Sequence, residues 1–139
     1  DRVTRLDAIR SDRNLLARYP KEAVHRKARE SALEDVRQAQ RRAEDRLATL
    51  ARERKPLTDE SEFYVGRQLP YALQNRLDAN DASVEAMNTL LRNQQLEEAR
   101  IQQRYDVELE RLTRLWNGEQ PGSLGGLASA GAPAPEKQR

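Results

Sequence analysis

Apolar positions along this chain recur in alternating steps of four and three. The longest run lands on Leu73, Leu77, Asn80, Val84, Met87, Leu91, Gln94, Glu98, Ile101, Tyr105, Glu108, Leu112 and Leu115 without a slip. Residues so spaced share one face of an α-helix, and a sustained repeat of this kind marks a helix packed lengthwise on other helices. A second stripe, Val24, Ala28, Ala32, Val36, Ala39, Ala43, Leu47, Leu50 and Leu57, predicts a partner helix. Its alanines let helices approach closely while burying little area each. A shorter stripe of Val3, Leu6, Ile9 and Leu16 predicts a first helix within residues 1–19.

The breaks between stripes carry their own chemistry. Proline disfavours helical geometry in the residue before it and suits the first turn of a new helix, so Tyr19-Pro20 separates the first helix from the second. Pro56 is expected to kink or interrupt the second helix, with Thr58, Asp59 and Glu62 offering a restart, the last two at capping-box spacing. Phe63 to Pro70 reads as the connector, centred on about 65–70, with Gly66 in a left-handed cap and Pro70 opening the third helix. Gly118 stops that helix beyond Trp116-Asn117.

The predicted fold class is all-α: a long antiparallel coiled-coil hairpin over residues 20–117 with a short additional N-terminal helix, a partial three-helix bundle. With the connector near residue 67, facing residues have numbers summing to about 134, which sets Leu50 by Val84, Ala43 by Leu91, Asn80 by Arg54 and Trp116 by Arg18. A straight first helix would then have no partner within the chain. It must fold back at Tyr19-Pro20, project free, or pair with another molecule; folding back is the favoured route, and an elongated molecule is expected. Because Ala-rich seams bury little, a weak homodimer is expected too.

Composition fits thin seams rather than a thick core. Hydrophobic residues make up 37 % and charged residues 35 %, with one Phe and one Trp. The formal net charge of +2 rests mostly on Arg and is read as a genome bias rather than a nucleic-acid signature. The absence of Cys excludes disulfides, thiol nucleophiles and thiolate metal sites. No apolar run approaches membrane-spanning length, so no membrane insertion is expected of this fragment. A chain that begins at Asp1 rather than Met is expected to be a fragment or a processed product. Residues 118–139 hold five of the six Gly and three of the six Pro and are expected to be disordered, with Leu124 and Leu127 as a weak docking point at most.

Candidate chemistry is sparse. Glu22 and His25 have the Glu-x-x-His spacing of di-iron carboxylate bundles, but such a site needs a second copy and His25 is the chain's only His; it reads as a partly exposed helix residue near Tyr105. Asp59, Glu60 and Glu62 lack the spaced ligands and Gly of a calcium loop. No phosphate loop or catalytic triad is discernible, so neither enzymatic activity nor a metal or cofactor is expected. Residues 37–55 carry seven positive charges against three negative, among them Arg37, Arg41, Arg42 and Arg46, a face that could meet nucleic acid. The stacking aromatics of specific readout are missing there. The polar seam positions Asn80, Gln94, Glu98 and Glu108 are the better clue. Either they are buried and set register, or Leu90, Leu109 and Ala99 shift the stripe sideways and leave them at its edge.

One resemblance rests on particular segments. Asp12-Arg13-Asn14-Leu15-Leu16-Ala17-Arg18-Tyr19-Pro20, Glu62-Phe63-Tyr64-Val65-Gly66, Arg92-Asn93-Gln94-Gln95, and Tyr105-Asp106 through Leu115-Trp116 resemble a group of uncharacterised proteobacterial exported proteins. These share a short N-terminal domain of unknown function followed by a charged coiled-coil hairpin, and the likeness covers about residues 10–116. It implies that this chain corresponds to the hairpin and works in the periplasm; without it a cytoplasmic location is expected. The group supplies no catalytic residues. The expected function is therefore a non-enzymatic structural or protein-interaction coiled coil of the bacterial envelope, with a protein partner. The alternative is a nucleic-acid-binding accessory protein using the Arg-rich face.

Overall fold

The computed structural model describes residues 1–125 and is all-helical, as the periodicity predicts: α1 (Arg2–Arg18), α2 (Glu22–Ser61), a short 3-10 turn (Glu62–Tyr64) and α3 (Tyr71–Trp116). A long helix pair with a shorter N-terminal helix makes the hairpin. The chain divides into two compact units, one built from residues 1–33 with those from 99 onward, the other from residues 34–98.

In the first unit three helices share a core. Leu15 and Tyr19 of α1 pack with Leu112 of α3, and Leu16, Ala28 and Trp116 close around them. The indole of Trp116 donates to the Tyr19 carbonyl at 3.0 Å, one residue from the position that the pairing sum assigns. So α1 folds back at Tyr19-Pro20. Tyr19 leaves the helical region, which a following proline disfavours, with φ −129° and ψ 77°, and its N–H closes α1 on Leu15 O at 2.9 Å.

The buried face of α1 is not the predicted one. Val3 and Leu6 are exposed, while Ala8, Asp12 and Leu15 are buried and continue to Tyr19. Their spacing of four, three and four is a better seam than Val3, Leu6, Ile9 and Leu16, but a charged residue interrupts it. Similarly, His25 rather than Val24 occupies the inner position at the start of α2, and Leu33 adds to the buried face.

In the second unit α2 and α3 pair alone. Every position of the long α3 seam within the described chain is buried or half-buried. Leu73, Leu77 and Asn80 are buried against a stripe that includes Leu50, whereas Val84, Met87 and Leu91 are half-buried, as two helices without a third must leave them. Leu90 is 39 % exposed and Ala99 is exposed, so the stripe keeps its line through half-buried Gln94 and Glu98, whereas Leu109 is half-buried and widens it beside Glu108. Contrary to expectation, Pro56 does not interrupt α2, which continues to Ser61. A proline five residues before the helix end removes one main-chain bond, and the Lys55–Asp59 pair at 2.9 Å spans the position. Asp59 is thus a helix residue rather than a cap.

Both hairpin boundaries follow their turn chemistry. Val65 (φ −58°, ψ 129°) and Gly66 (φ 79°) are the central residues of a type II turn closed by the Arg67 N–H on Tyr64 O at 2.7 Å. The Pro70 carbonyl accepts the first α3 bond, from Gln74 at 2.9 Å. At the far end Gly118 (φ 105°) gives α3 a Schellman cap, with Gly118 N–H on Leu115 O at 3.0 Å and Glu119 N–H on Arg114 O at 3.2 Å. Residues 118–125 then form turns that lie on α1, where disorder was expected. Leu127 and the rest of residues 126–139 lie outside the described residues.

Candidate functional site

Four polar assemblies and one exposed apolar one among the described residues bear on function. The innermost is an ion pair between helices. Asp12 on α1 is fully buried, and Arg111 on α3 reaches it twice, Nε to Oδ1 at 2.6 Å and Nη2 to Oδ2 at 3.2 Å. Such a bidentate fork is the strongest form of this contact. Asp12 Oδ2 also accepts the Gly122 N–H at 2.7 Å, and Arg111 donates to the carbonyls of Leu124, at 3.5 Å, and Gly125.

Beside it lies His25, 1 % exposed rather than partly exposed. Its Nε2 is 3.1 Å from Glu108 Oε1, and its ring meets Tyr19 edge-on at 4.8 Å and Tyr105 at 5.1 Å. Burial, followed by the Glu108 carboxylate and then Tyr105, raises the Tyr19 phenol above its ordinary pKa. Only one carboxylate meets His25 here. Among the described residues no group of three or more His, Cys, Asp or Glu could hold a metal ion.

In the second unit the predicted register residues fall into two clusters. Asn80 is buried, donates to Leu50 O at 3.0 Å and accepts from Arg54 at 3.2 Å, while Arg54 also pairs with Asp81. Further along, Gln40 donates to Glu98 at 2.8 Å and to the Gln94 carbonyl at 3.5 Å, and Arg37 meets Glu98 at 2.8 Å. Hydrogen bonds from Gln40 first and Arg37 second hold the Glu98 carboxyl below its usual pKa. So the structure brings Arg37, Gln94 and Glu98 together and places Asn80 in a separate cluster.

The Arg-rich face is internally neutralised at most of its named positions. Arg41 pairs with Glu34 at 3.0 Å, Arg46 lies 4.0 Å from Glu53, and Arg42 is exposed. An open groove of about 510 Å³ beside the seam is lined by Leu47, Ala51 and Val84 together with Arg54, Asp81 and Arg92, a lining of mixed charge.

The exposed assembly is the hairpin tip. Phe63 is 76 % exposed, Val65 81 % and Tyr71 76 %. Val65 lies in the turn itself, Phe63 in the 3-10 turn before it and Tyr71 opens α3; the turn is braced by Arg67, which stacks over the Tyr64 ring at 5.4 Å and donates to the Phe63 carbonyl. Asp59, Glu60 and Glu62 precede it, and all three are exposed.

Sequence reading missed Asp12, Arg111 and the tip as functional candidates. The four-three-four spacing of Ala8, Asp12, Leu15 and Tyr19, and the position of Arg111 beside seam residue Leu112, were the available signals for the first two. For the tip it was the placing of three of the six aromatics, Phe63, Tyr64 and Tyr71, in one connector. No helix among the described residues is long and apolar enough to cross a membrane. No family model matches the chain, and neither the curated proteins nor the solved structures compared with it gave a match.

Proposed function

We propose that this chain is a non-enzymatic protein-interaction module of the bacterial envelope whose docking element is the hairpin tip. The observation that carries the reading is the exposure of Phe63, Val65 and Tyr71 in and beside a braced turn. A soluble surface rarely clusters large apolar groups without use, and aromatic side chains on a pre-organised support bind with little loss of entropy. Glu60 and Glu62, which precede the tip beside the Lys55–Asp59 pair, select the partner: a protein with an apolar pocket rimmed by basic groups, rather than an anionic lipid surface. The envelope location comes from the resemblance alone, and fractionation of the source cell tests it.

The experiment is in-cell crosslinking from a photoreactive residue at position 65, with position 42 as an exposed helical control. A discrete protein adduct from position 65, lost on Phe63→Ser and weakened by Glu60→Lys with Glu62→Lys, supports the reading. Adducts to lipid or to the chain itself, adducts equal at both positions, or none at all overturn it. The nucleic-acid alternative has no observation in its favour, since Arg37, Arg41 and Arg46 each face a carboxylate. Because α1 finds its partners within the chain, the first helix gives no ground for a homodimer; the thin Ala-rich seam, with Val84, Met87 and Leu91 half-buried, is the ground that remains for a weak one.

A further inference from the structure

Residues 122–125 are bound much as a short peptide ligand would be. Their tethering bonds are main-chain ones: the Gly122 N–H to Asp12, and the Leu124 and Gly125 carbonyls to Arg111. One acceptor and one fork-shaped donor thus read both polarities of a peptide backbone, and neither reads a side chain. Specificity enters at one position. Gly122 has φ 90°, and a Cβ there would overlap Cγ1 of Ile9, with the Ile9 N and Cα at 3.4 and 3.5 Å behind it. Ile9 is β-branched and cannot swing that atom aside freely. A second glycine, Gly125, also has positive φ, 88°. The site accepts a turn segment only where glycine passes over Ile9.

The site does not need its occupant in order to exist. Asp12 and Arg111 hold each other bidentately, so donor and acceptor stay aimed whether or not a backbone lies on them. The occupant, in turn, is held by few bonds and by a short tether of residues 119–121 after the Gly118 cap, so it can leave and return.

We propose that Ile9, Asp12 and Arg111 form a binding site for a glycine-bearing turn segment, filled in the single chain by its own residues 122–125 and able to take the same segment from a second copy. A short tether corresponds to a local concentration in the millimolar range, so the chain's own segment excludes the copy's unless released or outnumbered. The inference is independent of the tip.

The test uses the full chain and a labelled peptide of residues 117–125, acetylated and amidated, followed by fluorescence anisotropy. In a full-length Gly122→Val chain the attached segment is ejected and the site falls open, so the peptide binds at least about tenfold more tightly than to the wild-type chain, whose site is filled. A peptide that itself carries G122V does not bind the opened chain. Circular dichroism verifies that the variant keeps its helix; should it not, Gly122→Ala replaces it with the same expectations. Peptide binding to neither chain, equal binding to both, or equal binding of the valine peptide overturns the proposal.

Discussion

His25 of α2 and Glu108 of α3 meet at 3.1 Å inside the three-helix unit, with the imidazole covered by Tyr19 on one side and Tyr105 on the other. Since Tyr19 ends α1, this single imidazole touches all three helices. His25→Ala would open a cavity under two aromatic rings and leave Glu108 without its partner. The combined loss is about 2–4 kcal/mol, read as a lower urea midpoint with unchanged slope. A loss below about 1 kcal/mol would mean that the rings close over the gap.

The Asp12–Arg111 pair lends itself to a double-mutant cycle. Asp12→Leu or Arg111→Met alone strands a buried charge and costs about 3–5 kcal/mol. Asp12→Leu with Arg111→Met removes both charges and should cost less than either single change, because a buried ion pair offsets little more than its own desolvation. Urea denaturation of the set decides this; additive losses would contradict it.

Asn80 is a buried amide with both halves satisfied, by Leu50 O and by Arg54. Asn80→Ala leaves a buried carbonyl and a void in the two-helix seam, for a loss of about 1–2 kcal/mol in thermal or urea unfolding. Asn80→Leu restores apolar contact and should lie within about 1 kcal/mol of wild type, while relaxing the register that the amide sets. Disulfide trapping between cysteines placed in and out of register would reveal that relaxation; a single trapped register in Asn80→Leu would refute it.

Glu98 makes the hairpin unit sensitive to acid. Its folded carboxyl lies below the ordinary glutamate value because Gln40 and Arg37 bind the charged form. The stabilisation is therefore complete above about pH 4.3, the unfolded value, and is lost as pH falls through the lower folded value. Glu98→Gln should cost about 0.5–1.5 kcal/mol at pH 7 and flatten the decline in stability below about pH 4.3. Parallel urea titrations from pH 7 to pH 3 measure both, and an unchanged acid slope would exclude the role.

The sequence by itself determined the helices, their limits apart from the break expected at Pro56, and the hairpin register, because these depend on spacing and on local backbone chemistry. The seam from Leu73 to Leu115 needs only a constant period, and Gly66, Pro70 and Gly118 act through their own φ preferences or missing N–H. The sum of about 134 then follows from the connector alone and reappears in the Arg54 with Asn80 and Gln40 with Gln94 contacts. The tertiary structure decided which face of α1 turns inward, and the reason is energetic. Asp12 is buried only because Arg111, 99 residues away in sequence, supplies both donors. A hydropathy stripe assigns a carboxylate to water, as it assigns His25 until Glu108 and two tyrosine rings enclose it. Residues 118–125 likewise read as linker by composition, since the glycines that suit a free chain are also the residues that let a backbone lie against Ile9 and reach a buried ion pair. Local patterns state what a segment can do alone; the partners of charged and flexible residues exist only once the chain has folded.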